Sequence, residues 1–352
     1  MTSYERIRAT LDRRPLDRLA CDMWATDETV TQLMVRRGVE SERALYEGLG
    51  VDKILWVKAP YRDLPPIPAG IEKVDEWGVQ YRTVAYDRGT YLETAFSPLA
   101  SLDSLEQYEA FAWPADNRFD YDALAVTVRQ NLGQPIMLSF ISLFEVYTAL
   151  RGFENALTDL YIQKDLAHFA LERICDIQLA YIEKSLDAAG EGIDIVYFSD
   201  DMGMQDRQLF GTDIWDEFIG QRAERIIDLV HRCGKKVFYH TDGSAPEIVD
   251  RLVSMGIDIL NPIQYVCPGM ERERLKQLYG KRVIFHGAIE NQRVLPFGSP
   301  EDVRRETEEC MRILGAGGGY IVASCHNLQP NTPVENILAM YEAVHKAGAK
   351  YL

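Results

Sequence analysis

The sequence predicts a (β/α)8 barrel, an α/β fold, with a small antiparallel meander inserted near one end. Three observations predict it. Short apolar runs recur along the whole chain, with amphipathic helical patterns between them. No G-x-G-x-x-G turn follows an early run, as an open doubly wound sheet would usually show. Residues with chemical reach gather just after the runs, where a barrel keeps its functional face.

Eight runs read as barrel strands: 20–24 (ACDMW), 53–57 (KILWV), 136–140 (IMLSF), 193–199 (IDIVYFS), 236–241 (KVFYHT), 257–261 (IDILN), 283–287 (VIFHG) and 320–324 (YIVAS). Several are apolar nearly throughout, as strands covered on both faces should be. Between them, 154–189 is long enough for two helices, 213–232 is amphipathic and stops at Gly234, and 246–255 precedes Gly256. Segment 299–314 opens on Ser-Pro-Glu-Asp, with an N-cap serine, proline at the first helical position and acids in the first turn. Segment 332–347 opens on Thr-Pro-Val-Glu, a capping box. Residues 315–319 (GAGGG) precede a strand and read as a helix-to-strand turn. Residues 70–98 alternate polar with apolar and carry turn signals at 76–78 and 87–89. They predict a meander between the second and third barrel strands, lying over one end of the barrel. The chain is expected to form one unit, 1–352, with this insertion.

Composition limits the partners. Lys and Arg total 38, Asp and Glu total 54, and the formal charge is −16. So acidic a surface repels a phosphate backbone, which excludes nucleic acid, and disfavours a polyanion unless a local basic pocket outweighs the field. No apolar run approaches the roughly 20 residues that span a bilayer, so no membrane partner is expected. The N-terminal MTSYERIRATLDRRPLDR is charged and lacks the apolar core of a secretion signal. The six cysteines, Cys21, Cys175, Cys233, Cys267, Cys310 and Cys325, are widely and irregularly spaced. That pattern points to a reducing compartment rather than a disulfide framework, and a cytoplasmic protein is expected.

The strand ends carry the candidate chemistry. His240 and Asp242 are two residues apart on an extended segment and can present a nitrogen and an oxygen to one point. The thiolate of Cys325, from across the barrel, can reach the same point. Imidazole, carboxylate and thiolate suit zinc with an open fourth position; equally, His240 and Asp242 can simply hydrogen-bond to each other at a loop mouth. Asp200 and Asp201 leave an apolar strand together and must meet solvent, take a partner or share a proton. With His326 they are the catalytic candidates, against the alternative of loop acids or a cap for the helix near Asp213. Asn261, Gln264, His286 and Glu290 follow the sixth and seventh strands and are candidates for substrate binding, with Trp24 as pocket wall. His286 and His326 can each orient a metal ligand from behind it, or be no more than satisfied barrel-mouth histidines. Glu145 and Tyr147 can reach the mouth or lie on a helix surface.

The segments FSDDMGMQ, FYHTDG, DILNPIQ, FHGAIENQRVLPFGSPEDV and GGGYIVASCHNLQPNTPVENILAMYEAVHKAG resemble the uroporphyrinogen decarboxylase superfamily, in order from about Tyr4 to Leu352. The resemblance implies a single (β/α)8 barrel and one of two activities. One branch decarboxylates uroporphyrinogen without a cofactor. The other comprises zinc-dependent methyltransferases that exchange methyl groups between small molecules and a corrinoid protein. The decarboxylase carries Arg-Gln-Ala-Gly-Arg after its first strand, whereas the matching MWATDETVTQLM here has no arginine. Without that clamp several substrate carboxylates would be desolvated and unpaired. His326 matches a decarboxylase site histidine, so decarboxylation of a small carboxylate is the alternative.

The methyltransferase branch carries His-x-Cys after the fifth strand and a further Cys after the eighth. His240 and Cys325 match, and Asp242 stands where the first cysteine is expected. A carboxylate donates less charge than a thiolate, so the zinc implied would be a stronger Lewis acid, suited to an oxygen- or nitrogen-linked methyl. No Asp-x-His-x-x-Gly corrinoid motif is present, so the resemblance implies a separate corrinoid protein that docks at the barrel mouth. The superfamily commonly dimerises, which implies a homodimer.

Overall fold

The runs rich in β-branched and aromatic residues all become strands. The computed structural model describes residues 1–86 and 89–352. Its strands are β1 (Ala20–Cys21), β2 (Leu55–Val57), β3 (Lys73–Val74), β4 (Gln80–Tyr86), β5 (Gly89–Phe96), β6 (Ile136–Ile141), β7 (Ile195–Ser199), β8 (Lys236–His240), β9 (Ile259–Asn261), β10 (Ile284–Ile289) and β11 (Tyr320–Ser324). Eight of them form one parallel sheet in the order β1-β11-β10-β9-β8-β7-β6-β2. That is the order met on walking around a barrel wall, and the architecture is TIM-barrel-like.

Two apolar layers hold the sheet. Alternate residues of the strands point inward and meet: Ala20, Ile54, Met137, Ile195, Tyr197, Phe238, Ile259, Ile284 and Ile321 form one buried cluster. Ile7 and Leu11 of the N-terminal helix Ser3–Leu11 join it. The opposite faces pack under the outer helices in a second, larger cluster. Burial on both faces is why the strands read as continuous apolar runs.

The end strands β1 and β2 share no ladder among the described residues. Buried polar groups bridge the seam instead. The Asp52 amide donates to the Cys21 carbonyl at 2.8 Å. The Asp52 carboxylate accepts from the Cys21 amide at 2.9 Å, from Arg18 at 2.8 Å and from Arg6 at 2.5 Å. The Ile54 amide donates to Asp22 Oδ1 at 3.1 Å.

Strands β3, β4 and β5 form the expected antiparallel meander between β2 and β6. Its first turn closes with the Gly78 amide on the Asp75 carbonyl, at 3.1 Å. Asp87 and Arg88, in the turn expected at 87–89, lie outside the described residues. The meander reaches the C-terminal end of β6: Lys73, Asp75 and Trp77 line a cavity of about 340 Å³ together with Phe140 and Glu145.

The helices follow the sequence patterns with two corrections. Segment 154–189 gives Phe153–Ile162 and Lys164–Ala189, and Ser299 caps Pro300–Leu314 in a capping box with Asp302. The 213–232 segment is not a uniform α-helix, because a wide π turn, Asp216–Gly220, separates Thr212–Trp215 from Gln221–Arg232. The capping box expected at Thr332 does not form. That helix begins at Val334 with Pro333 at its N-cap, so Thr332 lies one position too early to reach the free amides. Among the described residues no helix is long and apolar enough to cross a membrane.

The seam yields the first prediction. Asp52→Ala leaves Arg6 and Arg18 without their buried partner, and breaking such a pair costs about 3–5 kcal/mol. Denaturant unfolding should show a midpoint shift of that size. A change under about 1 kcal/mol would mean that the β1–β2 seam does not depend on this carboxylate.

Candidate functional site

The polar layer of the site follows from strand alternation. Asp22, His240, Asn261 and His286 each lie two residues beyond an inward-facing residue, namely Ala20, Phe238, Ile259 and Ile284. They therefore also face inward, one layer nearer the strand C-terminal ends. Above them opens a cavity of about 590 Å³, lined by Trp24, Ala25, Lys53, Trp56, Phe140, Glu145, Tyr197, Ser199, Asp201, His240, His326 and Asn327.

One wall is aromatic and continuous. Ring centroids lie 5.0 Å apart for Phe140 and Tyr197, 4.6 Å for Tyr197 and Trp56, and 5.2 Å for Trp56 and Trp24. Trp24 in turn lies 5.8 Å from the His240 ring. The opposite side is polar. His240 Nε2 lies 3.7 Å from Asp201 Oδ1 and 4.0 Å from Asp242 Oδ2, and His326 Nε2 lies 3.8 Å from Asp242 Oδ2. His240, Asp242 and His326 can each offer one ligand atom, all within 4.8 Å of one another.

Of the residues singled out in the sequence, Trp24, Asp201, His240 and His326 line this cavity, and Asp242 stands beside the last two. Cys325 does not join the cluster. Its amide donates to the Ile289 carbonyl at 2.7 Å, and it lines a separate narrow cleft with Gln264, Ala288 and Glu290. Burial, followed by the Asp242 and Glu290 charges, holds its thiol well above the usual range.

Gln264 accepts from the Gly243 amide at 2.8 Å and donates to Gln205 at 3.2 Å. Glu290 accepts the Arg293 and Val294 amides, both at 2.7 Å, at the start of the helix Val294–Phe297. Asn261 and His286 are fully buried beneath the cavity. The four residues read as substrate-binding candidates thus spend their polar atoms within the protein.

The adjacent acids Asp200 and Asp201 part company. Asp200 is fully buried and turned away from the cavity. Its carboxylate accepts from Ser142 Oγ at 2.8 Å and from the amides of Leu143, Phe144 and Glu145 at 3.2, 2.7 and 2.9 Å. Those amides open the helix Phe144–Arg151, so Asp200 caps it. Asp201 instead faces the cavity and accepts the Asp242 amide at 2.8 Å.

The sequence leaves Glu145 open between the mouth and a helix surface, and does not single out Lys53, Trp56, Phe140 or Tyr197, all of which line the cavity. Glu145 accepts from Ser199 Oγ at 2.9 Å and from the Asp201 amide at 3.2 Å. Burial, then Asp200 and Asp201, push its carboxyl up to about 7. Burial also pushes Asp200 up to about 7, but four hydrogen bonds to its charged form oppose this. The two neighbouring carboxyls therefore both titrate near neutrality, as a pair. Trp56 and Tyr197 were legible as inward positions of their runs. Lys53 was not, because it reaches the cavity beside the seam, with Nζ donating to the Met23 carbonyl at 2.7 Å.

Two tests follow. Asp200→Asn places an amide donor among backbone donors, and should cost about 1.5–3 kcal/mol in unfolding experiments. Any activity loss should follow the loss of folded protein. Loss of activity in a variant as stable as wild type would return Asp200 to the chemistry. The second test concerns Glu145, whose ordinary value is 4.5. Between that value and about 7 the folded protein holds a proton that the unfolded chain has released. The stability this supplies is fully present below 4.5 and is lost as pH rises through about 7. In metal-free protein, Glu145→Gln should therefore gain in melting temperature over wild type as pH rises from about 4.5 to about 7, with the difference levelling off above that. A difference that does not vary with pH would refute the assignment.

The uroporphyrinogen decarboxylase (URO-D) family model matches residues 75–347. The uroporphyrinogen decarboxylase of Coxiella burnetii (strain RSA 493 / Nine Mile phase I) is 24% identical over 203 residues, 57% of this chain and 53% of that protein. That of Serratia proteamaculans (strain 568) is 24% identical over 279 residues, 75% of each. The chain thus spans about half the length of the first of these curated relatives. A solved structure of a methyltransferase from Methanosarcina mazei superposes with a TM-score of 0.72 at 18% identity, covering 98% of this chain and 99% of that one. At that identity the likeness is one of fold. The match over residues 75–347 places the chain in the uroporphyrinogen decarboxylase family.

Proposed function

We propose that this protein is a zinc-dependent methyltransferase, which moves a methyl group between a small methylated compound and a separate corrinoid protein docked at the cavity mouth. The reading takes residues 1–352 as one closed (β/α)8 barrel working in the cytoplasm as a homodimer. One observation carries it: His240, Asp242 and His326 converge on one point, with Asp201 beside them. A neutral imidazole nitrogen and two carboxylates are acceptors, and a cation among them would satisfy them together. Two imidazoles and a carboxylate fit zinc and leave a position open to substrate. Bound there, zinc supplies a Lewis acid beside the atom that carries the methyl group.

The chain's own residues supply the rest. The aromatic wall shields the transfer from water. Asp201 holds the Asp242 backbone in place through its amide. Glu145, its carboxyl raised to about 7 by burial and by Asp200 and Asp201, is placed to exchange a proton with a leaving oxygen or nitrogen. The alternative, a cofactor-free decarboxylase, has the name of the curated relatives in its favour. Against decarboxylation of a polycarboxylate, Lys53 is the one Lys or Arg among the described residues lining the cavity, beside Glu145 and Asp201.

Metal analysis and a corrinoid assay test the proposal together. Reconstituted protein should hold about one zinc per chain. His240→Ala, Asp242→Ala and His326→Ala should each abolish retention, and Cys325→Ser should keep it. Turnover should appear as methylation of a reduced corrinoid protein in the presence of an O- or N-methyl donor. Protein that binds no zinc, or that works equally well without it, would sink the proposal. Loss of zinc in Cys325→Ser, with retention in His326→Ala, would restore the ligand set that the family resemblance implies.

A further inference from the structure

Beneath the cavity runs a chain of buried hydrogen bonds that ends on His240. His240 Nδ1 meets Asn261 Oδ1 at 2.5 Å, Asn261 Nδ2 meets His286 Nδ1 at 2.8 Å, and His286 Nε2 meets Asp22 Oδ2 at 3.2 Å. All four side chains are buried, at 5% exposure or less. They come from β8, β9 and β10 and from the end of β1, at the layer where strand alternation turns them inward.

We propose that Asp22, His286 and Asn261 are positioning residues that set the tautomer of His240, leaving its Nε2 lone pair turned into the cavity. The direction of the chain is fixed at its far end. A carboxylate only accepts, and Asp22 already takes the Met23 amide at 2.8 Å, the Ile54 amide at 3.1 Å and Trp24 Nε1–H at 3.0 Å. His286 Nε2 therefore carries the hydrogen, and its Nδ1 accepts. Asn261 must present its amide nitrogen there.

A second contact fixes the same orientation independently: Asn261 Nδ2 lies 3.4 Å from the His286 backbone carbonyl, which can only accept. Asn261 Oδ1 is then left facing His240 Nδ1, which must donate. In the neutral ring this leaves the lone pair on Nε2, the atom that faces Asp201 and Asp242. Burial is the largest single influence on the Asp22 carboxyl and raises it, but the Lys53 charge and the hydrogen bonds from His286 and Ile54 together hold it below its usual value, so the accepting end of the chain stays charged. The bond order follows: Asp22 orients Trp24 at the cavity wall and His240 at its floor through the same oxygen.

The consequence for zinc rests on the proposed metal reading, but the tautomer can be read without metal. Histidine labelled with ¹⁵N in metal-free whole protein, at about pH 9 where free imidazoles are neutral, reports which ring nitrogen bears hydrogen. Wild type should show His240 protonated on Nδ1 and His286 on Nε2. In Asp22→Asn the amide oxygen stays on the Met23 and Ile54 backbone amides, which turns the Nδ2–H group against His286 Nε2. The chain should then reverse, moving the His240 hydrogen to Nε2 and lowering zinc affinity by about 10–100-fold. Asn261→Ala removes the partner of Nδ1; it should give mixed tautomers and a loss in the same range. If Asp22→Asn fails to fold, the wild-type spectrum and Asn261→Ala still decide. His240 protonated on Nε2 in wild type overturns the proposal, as does an unchanged tautomer in folded Asp22→Asn. Wild type with the expected tautomer but no zinc binding supports the positioning role and defeats the metal reading alone.

Discussion

The buried carboxylate of Asp22 ties the ends of the sheet to the floor of the cavity. One oxygen accepts the Ile54 amide across the seam where β1 and β2 share no ladder. The other accepts Trp24, a cavity wall, and His286, which leads to His240. A carboxylate removed from water is costly unless its lone pairs are filled. Here N–H donors fill them, with the Lys53 charge nearby. Satisfying that one charge therefore requires the seam, the wall and the histidine layer to be in place together.

Four acids around the mouth show how surroundings divide one chemistry into several jobs. Asp22 and Asp200 are both fully buried, yet each accepts several hydrogen bonds and serves structure. Asp201 follows Asp200 directly but faces the cavity, with a side chain 47% exposed. Glu145 is packed among the others with two hydrogen bonds to its charged form, and burial with the Asp200 and Asp201 charges raises its carboxyl to about 7.

The fold was legible because burial on both faces writes strands as continuous apolar runs, and all eight barrel-like strands fall on such runs. The Ser299 cap was legible because capping is decided within one turn. Thr332 carried the same local signal and failed, since Pro333 displaced the helix start by one residue. The site was legible only in part. Strand ends pointed to His240, Asp201 and His326, but not to which polar residues turn inward and are then consumed by neighbours, as Asn261 and Glu290 are. Lys53 precedes the ladder of β2 and enters beside the seam, which no local pattern records.

Consecutive residues after a strand can also exchange roles. Cys325 extends the β10–β11 pairing by one backbone hydrogen bond beyond Ser324, and this turns it toward the cleft with Glu290. His326 is then the first residue free to face the cavity. Under the proposed function this exchange changes the donor set from thiolate-containing to nitrogen and oxygen alone. Softer thiolates hold a metal for sulfur partners, whereas imidazole and carboxylate leave it a harder acceptor. The substitution of aspartate at 242 and the turning away of the thiol at 325 act in the same direction. Under that reading both would favour a substrate that reaches the metal through oxygen or nitrogen, past the aromatic wall beside His240.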